Sequence, residues 1–121
     1  MNFSLLDFKE KCREEELSLL ILSSSDGLVL KSSYEGKESE SLSAIISIIY
    51  KEAKGLFDLY LKNDKIKELY MNGNKQKIIL LPFNVNNTEL ILIALGDVRK
   101  SMKRKLNKIK REVSSCLQEI L

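Results

Sequence analysis

Two short apolar runs constrain this chain more than any other feature. Residues 17–22 (LSLLIL) are hydrophobic except for Ser18, and residues 90–95 (LILIAL) are hydrophobic throughout. Both are far shorter than the ~20 residues of a membrane-spanning helix. A continuous apolar run of this length suits a strand buried on both faces. The chain is therefore expected to fold around the interior of a sheet, with residues 89–95 (ELILIAL) as a central strand ended by Gly96.

Turn chemistry divides the rest of the strand-forming sequence. Asp26-Gly27 follows the first run, and a return strand with Leu28, Val29 and Leu30 follows it. An Asp-Gly pair between apolar segments is a strong hairpin signal, because both turn residues must tolerate positive φ. Residues 34–40 are polar and read as a loop. Residues 65–71 (KIKELYM) and 75–83 (KQKIILLPF) read as two more strands across a tight Asn72-Gly73-Asn74 turn with positive φ. Pro82 is expected at the end of its strand or at a bulge, since it has no N–H to donate. Residues 84–88 read as a polar loop.

Three segments carry helical spacing. In residues 4–13, Leu5, Phe8 and Cys12 recur at three and four residues, with Ser4 and Asp7 as a capping box. The acidic run Glu14-Glu15-Glu16 opposes a helix C-terminus, so this helix is expected to end near Arg13. Residues 40–62 form a longer helix. Its broad apolar face holds Leu42, Ile45, Ile46, Ile49, Ala53, Leu56, Phe57 and Tyr60. A second stripe runs about 120° away: Ser41, Ala44, Ile48, Gly55 and Leu59, interrupted by Lys51. A helix lying on one sheet buries only one face, so this stripe asks for another partner. It packs either under a loop or flanking helix, or against a second copy. Gly55 costs about 1 kcal/mol in a helix interior, so its presence wants a packing reason. Residues 97–120 read as the last helix, with Asp97 as N-cap and a seam of Val98, Met102, Leu106, Ile109, Val113, Cys116 and Ile120.

Charge is segregated along the chain. Residues 97–121 hold eight basic and three acidic residues, while the other 96 residues carry a net charge of −2. Arg99, Lys100, Lys103, Arg104, Lys108 and Arg111 are the candidate surface for an anion or acidic partner. The blander alternative is a solvated helix face. No aromatic residue is interleaved with these cations, which weighs against base stacking.

Composition excludes several chemistries. The chain has no His, so no His general base and no His-bearing zinc site exist. Cys12 and Cys116 are its only cysteines and sit in no metal-ligand spacing; they are expected in the core of a reduced, intracellular protein. Its five glycines are scattered singly and form no phosphate-binding loop. The N-terminus lacks the pattern of a signal peptide. No catalytic residue, metal or cofactor is called for, and an enzyme has no positive support in the sequence.

The order of these elements resembles the roadblock domain, found in a dynein light chain and in small bacterial and archaeal GTPase regulators. The resemblance rests on LLILSSSDGLVLKSS (19–33), SLSAIISIIYKEAKGL (41–56) and ELILIALGD (89–97), and spans nearly all of residues 1–121 as one domain. It implies an α+β fold of the roadblock/longin, profilin-like kind, α-β-β-α-β-β-β-α. Its five-stranded antiparallel sheet would run second, first, fifth, fourth, third strand. The middle helix would cover one face and the terminal helices the other. The resemblance further implies dimerisation through the middle helix and the edge strand. In this chain that assigns Ser41, Ala44, Ile48, Lys51, Gly55, Leu59, Lys65, Lys67 and Leu69 to the interface. The implied role is a non-catalytic, cytoplasmic regulator or adaptor of a small Ras-like GTPase in a prokaryote. The alternative is an anion-binding module, for nucleic acid, an acidic protein or a membrane surface, built on residues 97–120.

Overall fold

A computed structural model describes residues 6–118. Its elements are α1 (Phe8–Glu15), β1 (Leu19–Ser24), β2 (Val29–Ser32), α2 (Lys37–Tyr60), β3 (Leu69–Asn72), β4 (Gln76–Val85), β5 (Thr88–Asp97) and α3 (Lys103–Leu117). The strands form one antiparallel sheet in the order β2-β1-β5-β4-β3. Residues 19–22 of the first apolar run lie in β1 and all of 90–95 in β5, and these two strands pair in the middle of the sheet from Leu19↔Leu95 to Ser24↔Leu90. Ile21, Leu22, Ile91, Leu92 and Ile93 are fully buried, as strands covered on both faces must be.

α1 and α3 cover one face. Phe8, Cys12, Leu106, Ile109, Val113 and Cys116 pack there on Leu20, Leu22, Leu90 and Leu92. Both cysteines are free and buried, and burial pushes the Cys12 thiol above its ordinary range. α2 covers the other face, where Ile46 and Tyr50 pack on Ile21, Leu80, Ile91 and Ile93. Among the described residues no helix is long and apolar enough to cross a membrane.

Several boundaries differ from the sequence reading, each for a local reason. α1 continues through Glu14 and Glu15, and Asp7 is its N-cap, accepting from the Lys9 and Glu10 amides. Ser4 lies outside the described residues. The acidic run does not end the helix early because a distant cation answers it: Lys105 of α3 donates to the Glu15 carbonyl at 3.1 Å. Glu16 then closes the helix at φ 57°, its amide returning to Cys12, while its side chain pairs with Lys100. α2 starts at Lys37, three residues before the expected 40. α3 starts at Lys103, not 97, so Asp97 caps nothing. It ends β5 and binds Arg99, which holds its carboxyl far below the usual carboxylate range.

The turns also redistribute. Asp26-Gly27 belongs to a three-residue loop in which the Ser24 amide donates to the Leu28 carbonyl and only Gly27 has positive φ, at 95°. No residue of the Asn72-Gly73-Asn74 turn has positive φ among the described residues. The two-residue turn with both positions left-handed lies instead at Asn86-Asn87 (φ 49° and 67°), between Val85 and Thr88. Asn tolerates that region nearly as Gly does.

β3 has four residues where 65–71 was expected, beginning at Leu69 and ending at Asn72. The β3–β4 register is Leu69↔Leu80 and Met71↔Ile78, so its continuation sets Lys67 opposite Pro82. Pro82 has no N–H for that pair, and the ladder stops before it. Pro82 thus sits inside β4, paired to Ile91 on one side and beyond the end of β3 on the other.

Candidate interaction surface

α2 has two sides of unequal character. Its inner side buries Ser39, Ser43, Ile46, Ser47 and Tyr50. Three of these five are serines, and Gly27 explains why. A Cβ on Gly27 would lie 3.0 Å from Ser47 Oγ and 3.1 Å from Ala44 Cα. The β1–β2 hairpin tip thus rests directly on the helix backbone, and only small side chains fit between them. Ser39 hydrogen-bonds the Tyr34 carbonyl and lies 3.0 Å from Ser32 Oγ, and Ser47 donates to the Ala44 carbonyl. Ser43 Oγ is buried with no hydrogen-bond partner among the described residues.

With serines taking the inner side, large apolar residues turn outward. Ile48 is 60% exposed, Leu59 69% and Tyr60 77%; Ile45, Leu56 and Leu61 are exposed as well. Ser41, Ala44 and Lys51 share this outer side, and Lys51 reaches Asp26 at 3.8 Å. Gly55 is open: a Cβ there would meet nothing within 4 Å, so no contact inside the described chain explains the glycine. The second stripe is therefore exposed at Ser41, Ile48 and Leu59 and half-exposed at Gly55, and at Ala44 and Lys51 it borders the β1–β2 loop.

The sequence reading missed Ile45, Leu56 and Tyr60 by placing them on the core side of α2. Hydrophobicity alone cannot reveal a buried face made of serines. The hint lay in the spacing of Ser39, Ser43 and Ser47 at every fourth residue. Of the edge residues, Leu69 begins β3 and packs on the α2-side core, whereas Lys65 and Lys67 are exposed and precede the strand. Tyr70, 40% exposed, joins the exposed residues of β3.

Below the C-terminal half of α2 lies a hollow of about 350 Å³. Phe57, Ile66 and Phe83 line it, and Glu89 stands at its rim. Tyr50 Oη donates to one Glu89 oxygen at 2.8 Å and Lys54 to the other at 3.2 Å. Burial, then the Glu89 carboxylate, raises the Tyr50 phenol well above its ordinary value.

The basic residues near the C-terminus are split by the fold. Arg99 pairs with Asp97, Lys100 with Glu16, and Lys103 with Glu68 at 3.3 Å. Arg99 and Lys100 precede α3. Arg104, Lys108 and Arg111 are exposed on α3 and form no ion pair among the described residues. Among the described residues, no three His, Cys, Asp or Glu side chains converge to hold a metal.

The fold has known counterparts. Myxococcus xanthus MglB superposes with a TM-score of 0.71 at 18% identity, over 92% of this chain and 88% of that one. A Roadblock/LC7 domain from Streptomyces avermitilis gives 0.73 at 10% identity, over 95% and 98%. An MglB in a tetrameric arrangement gives 0.69 at 15%, over 93% and 83%. No curated protein sequence matches the chain. The sequence model of the Roadblock/LC7 domain matches residues 5–95, three-quarters of the chain. With the sheet order, the two-sided α2 and that match together, the chain belongs to the Roadblock/LC7 domain family.

Proposed function

We propose that the protein is a non-catalytic homodimer that regulates, or serves as adaptor for, a small Ras-like GTPase in a prokaryotic cytoplasm. The observation that carries the dimer is the outer side of α2. Ile45 and Ile48, and further along Leu56, Leu59 and Tyr60, are exposed on the outer side of α2 with Lys51 and Glu52 between the two groups; large apolar residues gathered on one exposed side mark an interaction site. Two such helices related by a two-fold axis bury the stripe on itself. Ala44 and the open Gly55 let their backbones approach. The free edge of β3 lies beside this surface, and edge pairing between copies would satisfy its outward amides and carbonyls. Self-association of an MglB in a tetrameric arrangement supports the same reading.

The GTPase is supported by family membership. Roadblock proteins of the MglB kind act on a small GTPase by repositioning that partner's own residues, so the regulator needs no catalytic group of its own.

Solution mass by light scattering tests the dimer. Wild type is expected near twice 13.9 kDa, and Ile48→Asp near one chain with its circular dichroism intact, because a buried unpaired carboxylate is costly. A wild-type monomer overturns the dimer. Nucleotide hydrolysis by a small GTPase encoded beside the gene tests the partner: neither binding nor a changed rate removes the GTPase role.

A further inference from the structure

Net charge differs sharply among the three helices. α3 holds six basic residues and one acidic; α1 holds three of each, and α2 three basic and four acidic. Inside the chain, several of the cations near α3 are already engaged. Lys103 binds Glu68, Lys105 the Glu15 carbonyl, and Lys100 Glu16, while the one acidic residue of α3, Glu112, is held by Lys11 at 2.8 Å. Of the other four on α3, Lys110 is half-buried to one side, and Arg104, Lys108 and Arg111 are exposed. These three stand at i, i+4 and i+7, one exposed stripe roughly 10 Å long. The opposite side of α3, with Leu106, Ile109, Val113 and Cys116, is buried. The stripe therefore points directly away from the sheet.

Like charges at this spacing destabilise a helix, and no side chain among the described residues neutralises them. The geometry points to an anionic lipid surface as the partner of this stripe. The exposed Lys9 of the neighbouring α1 lies in the same layer, whereas Arg13 there is held by Glu10. α3 has no aromatic residue on which a base could stack, and the stripe continues into Ser115 with no apolar side chain to insert. Attachment is then purely electrostatic, reversible and salt-sensitive. It turns α2, on the opposite face of the sheet, away from the lipid. In a two-fold dimer joined along β3, both stripes lie on one face of the joined sheet, and avidity rises. The inference stands on the single chain, so the mass measurement above and the test below fail separately.

The test is co-sedimentation with phosphatidylcholine vesicles, with and without phosphatidylserine. Ionic strength is set near 10 mM and then 150 mM, where the screening length falls from about 30 Å to about 8 Å. Binding is expected only with phosphatidylserine and to weaken at the higher salt. Each surface cation is worth about fivefold in partitioning, so the combined Arg104→Ala, Lys108→Ala and Arg111→Ala variant is expected to lose about a hundredfold. Lys103→Ala, at a cation already paired, is expected to bind nearly as wild type. No binding at low salt, or equal loss in both variants, overturns the proposal. Tighter binding to duplex DNA or poly-glutamate than to the anionic vesicles also overturns it.

Discussion

Among the described residues, eighteen buried hydrophobic residues form the core beneath α1 and α3, with Phe83 at its margin; beneath α2, six hydrophobic residues are buried and nine more are only partly so. The sheet is the same, and β1 and β5 supply fully buried side chains to both faces. The covers differ. Two helices tied by the Lys11–Glu112 pair close the first face. A single helix lies on the second, and it spends much of its inner side on serines that admit the Gly27 loop. Its large aliphatic residues are displaced outward as a result. A chain can thus close one core with two helices and cover the other face with a single helix whose large aliphatic residues stay outside.

The largest expected effect breaks the comparison if it fails. Leu106→Ala, on the closed face at 1% exposure, is expected to cost 2–5 kcal/mol of unfolding free energy at any protein concentration, about the usual range for a core Leu. Leu59→Ala, on the open face, is expected to change single-chain stability by less than about 0.5 kcal/mol and to weaken self-association instead. Denaturant melts over a concentration series separate the two. Equal losses in both variants would mean that the two faces do not differ as described.

Gly27→Ala comes next and sharpens how α2 is seated. Its positive φ and its close approach to Ala44 and Ser47 predict a loss of about 1–3 kcal/mol in thermal or urea unfolding. No loss would mean that the hairpin tip does not bear on the helix. Tyr50→Phe is smaller, about 1 kcal/mol at neutral pH, the net worth of its hydrogen bond to Glu89. Its pH dependence has a definite sign. The folded phenol titrates above its ordinary value of 10.0, so its contribution is fully present below pH 10 and is lost as pH rises through the folded value. Wild type and Tyr50→Phe should therefore converge under alkaline conditions, as urea melts across that range would show. Smallest is Lys103→Gln, which breaks an exposed pair with Glu68 and should cost at most about 0.5 kcal/mol by the same melts.

The central strands, the element order and the α3 seam were legible because each depends on runs or spacings of apolar residues. Leu106, Ile109, Val113 and Cys116 lie where their three-and-four spacing placed them. What escaped depends on contacts between residues distant in sequence. The end of α1 is decided by Lys105, ninety positions on. The length of β3 is decided by a proline on the facing strand. The inner side of α2 is decided by a glycine in another turn, so Ile45, Leu56 and Tyr60 were assigned inward and are found outside. Small and polar residues can be buried for reasons of fit, and a hydrophobicity pattern is blind to fit. Of the candidate surface, Ser41, Ala44, Ile48, Gly55 and Leu59 lie along one outward side of α2, and the interface assigned to them is what the mass measurement tests. The six basic candidates were read as one set, although three of them are paired within the chain.

Pro82 also bears on how the chain survives before its fold is complete. Ile78, Ile79, Leu80 and Leu81 are four consecutive large apolar residues of high strand preference, the kind of segment that nucleates fibrils when transiently exposed. Lys77 stands before them and Pro82 after. A charge and a residue unable to donate to a growing ladder are the standard interruptions of such segments. The same proline that shortens β3 in the folded protein therefore marks where an unwanted ladder between unfinished chains would run out of donors.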